Sequence, residues 1–307
     1  MTTQPRLALG PVLYYWPKEQ LLDFYRKMAE MPLDIIYLGE TVCSKRRSLN
    51  HQQWLDLARE LRDKGKEVVL STMTLLEADS DLKALKKWCD EEDFTIEAND
   101  FSAIELLSQA GRSFVTGPSI NIYNERSLQV LASQGMKRWT LSLELSKKEL
   151  KQLQAQRPDG LETEVFVWGR MPLAYSARCF TARAYNLPKD DCQYRCLDDP
   201  NGLLMSTREN QDFLCLNGIQ TQSALTCNLM AELPALQALN VDVLRISPQS
   251  HFTANIIQGF HDLLHSDGAI DSITSQAERW AISGSCDGYW HGEAGMRSTH
   301  RPEEITQ

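Results

Sequence analysis

The chain has 307 residues, of which 24% are charged and 42% hydrophobic, and its formal net charge is −9. This length accommodates two ordinary domains or one (β/α) barrel of about 250 residues with insertions. The acidic balance argues against an extended nucleic-acid surface, because a polyphosphate partner needs a basic field. No apolar stretch approaches the roughly 18 residues of a membrane span, so we do not expect an integral membrane protein. A secretory signal pattern is also absent, which predicts a cytoplasmic protein whose eight cysteines are reduced thiols or metal ligands rather than disulfides.

Short β-rich runs alternate with helical segments along most of the chain. The runs are 6–15, 34–40, 67–72, 93–98, 113–117, 138–143, 163–169 and 241–247. Segments with helical periodicity lie between them at 18–30, 51–65, 81–93, 100–111 and 124–135. In the first of these, Leu21, Tyr25 and Met28 fall on one apolar face, as expected for a helix packed on a sheet.

This alternation predicts an α/β fold with a parallel sheet, and a count near eight strands favours a (β/α) TIM-barrel-like fold over an open sheet. The chain has no glycine motif of the dinucleotide-binding or P-loop type, so a nucleotide fold has no support. The rhythm breaks at 169–210, which is expected to be a long, functional, cysteine-bearing loop that makes the barrel irregular near its last strands. We predict one domain over 1–307, with a flexible tail at 291–307.

Four cysteines are the strongest candidates for a functional site. Cys179, Cys192 and Cys196 lie in the 169–210 segment with the spacing C-x12-C-x3-C, among charged residues where buried structural cysteines are uncommon. Cys43 follows the second predicted strand and Cys179 follows the seventh, so in a (β/α) barrel both emerge on the face where active sites lie. Four thiolates suit either a zinc ion or an iron–sulfur cluster, and the spacing alone leaves both open.

The alternatives are less specific. Cys43 by itself could be a small buried hydrophobe, and Cys286 could compete as a ligand, although no other cysteine is near it in sequence. Lys45, Arg46 and Arg47 form a basic run that is either a solvated surface or an anion-binding group. The chain has neither an HExxH motif nor a GxSxG motif, so it shows no sign of a zincin protease or a serine hydrolase.

Several segments carry a family signature: LGPVLYYWPKE, IIYLGETVCSKRR, PLAYSARCFTAR, LNGIQT and DVLRISPQ. They resemble the collagenase-like peptidase family, in particular its branch in ubiquinone biosynthesis. The resemblance implies one [4Fe-4S] cluster on Cys43, Cys179, Cys192 and Cys196. The wider family has an earlier cysteine where this chain has Pro172, so Cys43 would supply the missing ligand. Peptidase activity is not expected.

The resemblance also implies a function and partners. It points to a subunit of an oxygen-independent hydroxylase in anaerobic ubiquinone biosynthesis, paired as a heterodimer with a UbiU-like sister protein that covers the cysteine face. The quinone-precursor lipid and prephenate, as oxygen donor, would be the substrates. Because prephenate carries two carboxylates, we expect an arginine near the cluster to bind it, the candidates being Arg46, Arg47, Arg178 and Arg183. A module whose zinc or iron–sulfur centre is only structural is the alternative.

Overall fold

The structure, a computed structural model, describes residues 4–265 and 270–299. Six βα units come first, followed by a long strand: β1 (Arg6–Leu9), α1 (Lys18–Ala29), β2 (Ile35–Leu38), α2 (His51–Asp63), β3 (Glu67–Ser71), α3 (Asp79–Cys89), β4 (Thr95–Ala98), α4 (Phe101–Gln109), β5 (Phe114–Thr116), α5 (Glu125–Ser133), β6 (Met136–Thr140), α6 (Lys147–Gln154) and β7 (Glu162–Tyr175). The remainder consists of α7 (Phe180–Ala184), β8 (Leu203–Ser206), β9 (Asp212–Asn217), β10 (Gln220–Asn228), α8 (Leu233–Ala238), β11 (Val243–Ile246), α9 (Thr253–His265), α10 (Ile270–Ala277) and β12 (Ser285–Cys286).

Eight parallel strands close into a barrel. Strands β1 to β7 pair in chain order, and β11 pairs with both β1 and β7, which closes the circle. All eight coincide with the predicted runs, so the TIM-barrel-like fold is confirmed. Outward side chains pack against the helices in one large core that includes Trp139 and Trp168, while a separate inner cluster fills the barrel with Ala8, Ile35, Tyr37, Val69, Val115 and Val243.

The irregularity lies after the seventh strand, as expected. Strand β7 continues beyond the barrel to Tyr175 and pairs there with β10 in antiparallel fashion; β9 and β8 add to the same sheet. Pro172 stands where the β7–β10 register shifts, a position that tolerates its missing N–H. The segment 169–210 is therefore not one loop, because it begins inside β7 and includes β8.

The end of the described chain is fixed by hydrogen bonds. The backbone N–H groups of Asp287 and Gly288 both donate to the carbonyl of Arg297 at 3.0 Å, and the Asp287 carboxylate accepts from the backbone N–H of Thr299 at 2.8 Å. Of the expected tail at 291–307, residues 300–307 lie outside the described residues. Among the residues that are described, no helix is both long and apolar enough to cross a bilayer.

Candidate metal centre

Cys43 lies in the loop between β2 and α2, whose turn is held by its own side chains. The Glu40 carboxylate accepts hydrogen bonds from the backbone N–H groups of Val42 and Cys43, at 2.9 and 3.0 Å. The backbone N–H of Arg46 donates to the carbonyl of Cys43 at 2.9 Å. These bonds fix the Cys43 backbone at the carboxyl end of the barrel, where the sequence places it.

Cys179 caps the start of α7, and its Sγ accepts from the backbone N–H of Ala182 at 3.4 Å. The turn between β9 and β10 holds this segment in place. At that turn the carbonyl of Gly218 accepts from the N–H of Phe180 at 2.9 Å, and the N–H of Gly218 donates to the Thr181 hydroxyl at 2.9 Å. Gly218 has a φ of +67°, and an added Cβ would stand 2.8 Å from Nη2 of Arg46. Only glycine suits both its conformation and this close approach.

Cys192 directly follows the short 3-10 helix Lys189–Asp191, and Cys196 lies in a second one, Arg195–Leu197; neither helix buries a residue. Polar tethers hold this part of the segment. Lys45 donates through Nζ to the Lys189 carbonyl at 2.9 Å and to Asp190 Oδ1 at 2.7 Å. Lys189 in turn pairs with Glu77. The tethers connect the segment to the loops after β2 and β3.

Three of the four cysteines lie near one another, and Cys43 and Cys179 pack on the same small apolar cluster. The thiols of Cys43, Cys179 and Cys196 are close enough to influence one another electrostatically, and Cys192 lies near Lys45. All four are partly exposed, whereas the other four cysteines are buried. Cys286 lies elsewhere: it is in β12, where its backbone is the register partner of Cys227 near the carboxyl end of β10.

Four thiols are the donor set of an iron–sulfur cluster, so the residues present suit that group. Across 4–265 and 270–299, no three His, Cys, Asp or Glu side chains are grouped tightly enough for a single metal ion. Thiolates bind both zinc ions and iron–sulfur clusters, so the donor set by itself suits either group.

Arg46 is the charged group at the centre of this site. Its side chain is 1% exposed, and it donates to the Leu13 carbonyl and to Asn217 Oδ1, both at 2.7 Å. Its Nε is buried and has no hydrogen-bond partner within the described part of the chain. Burial raises the pKa of the Cys43 and Cys196 thiols, and the Arg46 guanidinium opposes that increase at both. Arg46 therefore favours the thiolate forms.

The other predicted arginines differ from Arg46. Arg47, Arg178 and Arg183 are exposed, so their guanidinium groups are free to meet a ligand, while both Nη groups of Arg46 are already engaged. Sequence reasoning missed Glu40 and Asn217, which fix the Cys43 turn and Arg46. The Asn217–Gly218 pair between two short strands was the available signal, because Asn-Gly is a strong hairpin turn signal.

Comparisons with known proteins agree with the family resemblance. The sequence profile of peptidase family U32 matches residues 20–292. Among solved structures, the U32 peptidase Mk0906 is 12% identical, with 81% of this chain and 95% of that chain covered and a TM-score of 0.45. The tryptophan synthase α2β2 complex of Pyrococcus furiosus is also 12% identical, with 91% and 98% covered and a TM-score of 0.45. The phospho-2-dehydro-3-deoxyheptonate aldolase of Thermotoga maritima is 12% identical, with 92% of this chain and 70% of that chain covered and a TM-score of 0.44. The profile match spans most of the sequence, and the chain therefore belongs to peptidase family U32.

Proposed function

We propose that this chain is the iron–sulfur subunit of an oxygen-independent hydroxylase in ubiquinone biosynthesis, the role of the UbiV protein that its sequence resembles. The observation that carries the proposal is the proximity of Cys43, Cys179 and Cys196, which come from distant parts of the chain, with the buried cation Arg46 beside Cys43 and Cys196. Cys192, four residues before Cys196, would complete a set of four ligands. A hydrolytic role has no comparable support, because the sequence has neither a zincin nor a serine-hydrolase motif.

The cysteines and the arginines of the site would have different roles. Cys43, Cys179, Cys192 and Cys196 would hold one [4Fe-4S] cluster, which supplies one-electron transfer when bound. Arg46 would offset the negative charge of the thiolates, and its unpartnered Nε suits a sulfur acceptor. Of the predicted substrate arginines, the exposed Arg47, Arg178 and Arg183 would bind an anionic oxygen donor such as prephenate.

A partner protein would cover the cysteine face. Six exposed apolar side chains lie between residues 185 and 213: Tyr185, Tyr194, Leu197, Leu204, Met205 and Phe213. Strand β8 is the last strand of the sheet order, and within the described residues it pairs with β9 alone, so one edge is open to another chain. These features support a heterodimer with a UbiU-like sister in the cytoplasm, which would exclude water from the cluster and share the quinone-precursor lipid.

A structural metal module is the second candidate, and one observation favours it. Neither 3-10 helix of the cysteine segment buries a residue, so a bound zinc ion or cluster would contribute much of the order there. In that case the metal would hold the cysteine segment in its folded conformation and take no part in electron transfer.

Anaerobic purification followed by iron, sulfide and zinc quantitation tests both candidates. We expect about four irons and four sulfides per chain, with the visible absorption of a cluster. Replacing Cys192 and Cys196 together by serine should abolish iron binding, while the matched controls Cys89→Ser and Cys215→Ser, at buried thiols elsewhere, should retain it. Full iron retention in the double variant would refute the ligand assignment. Zinc bound through the same four thiols would establish the structural module instead.

The hydroxylase role needs a separate measurement. With the partner and an alcohol-type oxygen donor present, ring hydroxylation balances as R–H plus R′–OH giving R–OH plus R′–H. Product should therefore form without oxygen and in proportion to the donor consumed. Turnover that continues after loss of the cluster would contradict a redox role for the cysteine site.

A further inference from the structure

A cavity of about 370 Å³ lies between α2 and α3, beside the loop that carries Cys43. Its volume falls within the range of small-molecule sites. The loop residues Glu40, Ser44, Arg46 and Arg47 form one wall, so the cavity borders the cysteine site but contains none of the four cysteines. The cysteine set does not account for it.

The interior of this α2–α3 cavity is apolar and partly aromatic. Leu49, Trp54 and Leu85 are buried and line it, and Met73 and Leu76 extend the apolar surface from the loop after β3. The Trp88 indole also lines the cavity and packs against the His51 ring at a centroid distance of 4.5 Å. A flat aromatic ligand suits such a lining, because aromatic pairs gain energy beyond simple burial.

The acidic groups of the cavity are already engaged. The Glu40 carboxylate accepts two backbone N–H groups and lies 3.8 Å from Arg46. The Asp81 carboxylate accepts from the backbone N–H of Glu77 at 3.1 Å and of Ala78 at 3.3 Å. Neither carboxylate therefore needs a cationic ligand.

Two cations at the rim are not engaged. The Arg47 guanidinium and the Lys87 ammonium both line the cavity, are exposed, and have no ion-pair or hydrogen-bond partner in the described parts of the chain. The other two basic residues are engaged: His51 is paired with Glu91 at 2.9 Å, and Arg46 donates to Leu13 and Asn217. The charged groups without a partner at the opening of the cavity are thus both positive, and the interior next to them is apolar.

We propose that this cavity binds a small aromatic carboxylate, with its ring against Trp54 and Trp88 and its carboxylate on Arg47 and Lys87. A planar guanidinium matches a carboxylate in bidentate geometry, and the ammonium adds a point charge. A small inorganic anion would make no contact with the apolar lining, and a neutral aromatic molecule would leave Arg47 and Lys87 without a charged partner. The assignment rests on the same Arg47 that the hydroxylase proposal offers to an anionic donor and narrows its ligand to an aromatic carboxylate; the binding itself does not require the cysteines to hold a cluster.

Calorimetric titration of the full chain with 2-naphthoate tests the assignment. We expect a dissociation constant of about 1 mM or tighter, with weaker binding of 2-naphthalenemethanol, which lacks the charge, and of butyrate, which lacks the ring. Saturation-transfer NMR should place the naphthalene protons against tryptophan. Equal binding of all three probes, or of butyrate and naphthoate, would overturn the proposal.

Single variants locate the binding. Arg47→Met and Lys87→Met should each weaken naphthoate binding at least tenfold, because each removes one charged partner. Lys86→Met is the matched control, since Lys86 is the next residue on α3 and does not line the cavity; it should leave the affinity unchanged. Trp88→Leu should also weaken binding, and circular dichroism with a thermal melt establishes that each variant is folded. Equal affinity in the Arg47, Lys87 and Lys86 variants would refute the site. Because the titration is read without activity or iron content, this result is independent of the hydroxylase proposal.

Discussion

Replacing Arg245 by methionine would leave two carboxylates without their cation inside the barrel. Arg245 lies on β11 with its side chain 4% exposed, and it pairs with Glu164 at 2.6 Å and with Glu97, both 1% exposed. Its guanidinium also lies over the Tyr37 ring, 4.1 Å from the centroid. Burial alone would lower the pKa of Arg245, but the charges of Glu164 and Glu97 outweigh it and raise that pKa above its ordinary value. The residue is therefore a fixed cation.

We expect Arg245→Met to lower the free energy of unfolding strongly, because the two glutamates stay buried without their cation. Removing one member of a buried ion pair costs about 3–5 kcal/mol, since the remaining charge is left uncompensated. For a chain of this length, an unfolding entropy of about 2.1 cal/mol/K per residue converts that loss into a fall in Tm of roughly 5–8 °C.

Arg6 provides the matched control. It also pairs with two carboxylates, Glu67 at 2.8 Å and Glu162 at 2.7 Å, but its side chain is 34% exposed and those of the two glutamates 36% and 37%. Arg6→Met should cost no more than about 1 kcal/mol, because exposed pairs contribute little and Arg138 still holds both glutamates.

Urea unfolding followed by circular dichroism measures both losses, provided that the slope of the transition is unchanged. A triple variant that adds Glu97→Gln and Glu164→Gln to Arg245→Met removes the stranded charges, and it should recover part of the stability. Equal losses for Arg245→Met and Arg6→Met, or a triple variant less stable than Arg245→Met, would refute the reasoning that burial sets the cost.

Two further predictions concern the cysteine face. Arg46→Met should accelerate loss of iron about tenfold or more in an anaerobic chelator assay, because groups that support metal ligands typically contribute that much affinity. The exposed Arg47→Met is the control, and equal rates would exclude a supporting role for Arg46. Met205→Lys on β8 should reduce co-purification with a UbiU-like partner while changing stability by less than about 0.5 kcal/mol. A complex unaffected by this change would place the interface elsewhere.

The barrel was predictable because its strands are short, β-rich and regularly spaced. Helix α6 was not among the predicted helices: its eight residues carry only two buried leucines, Leu150 and Leu153, too few to mark a helical face. The hairpins after β7 were also missed, since β8 and β9 are short strands with no clear alternation. Their pairing depends on tertiary contacts with the extended part of β7, which local sequence does not encode.

The charged interior of the barrel illustrates a different limit. Glu97, Glu164 and Arg245 each sit within a strand otherwise read as apolar, and strands of a parallel barrel are buried on both faces. Sequence alone therefore gives no indication of which face a charged residue occupies or which opposite charge it meets. The placement of Cys43 and Cys179 was easier to predict. Parallel strand order puts the loops after β2 and β7 at the same end of the barrel, and these cysteines follow those two strands.

The construction of the cysteine site depends on the segment inserted between β7 and α8. After the earlier barrel strands a helix returns the chain to the other end, but after β7 the chain first adds three antiparallel strands and only then forms the short helix α8. The turn between the last two of these strands brings Asn217 and Gly218 against Arg46 and the start of α7. Arg46 comes from the loop that carries Cys43, and α7 begins at Cys179. One turn therefore sets the distance between two proposed ligands more than a hundred residues apart, and this arrangement depends on the hairpin inserted before α8.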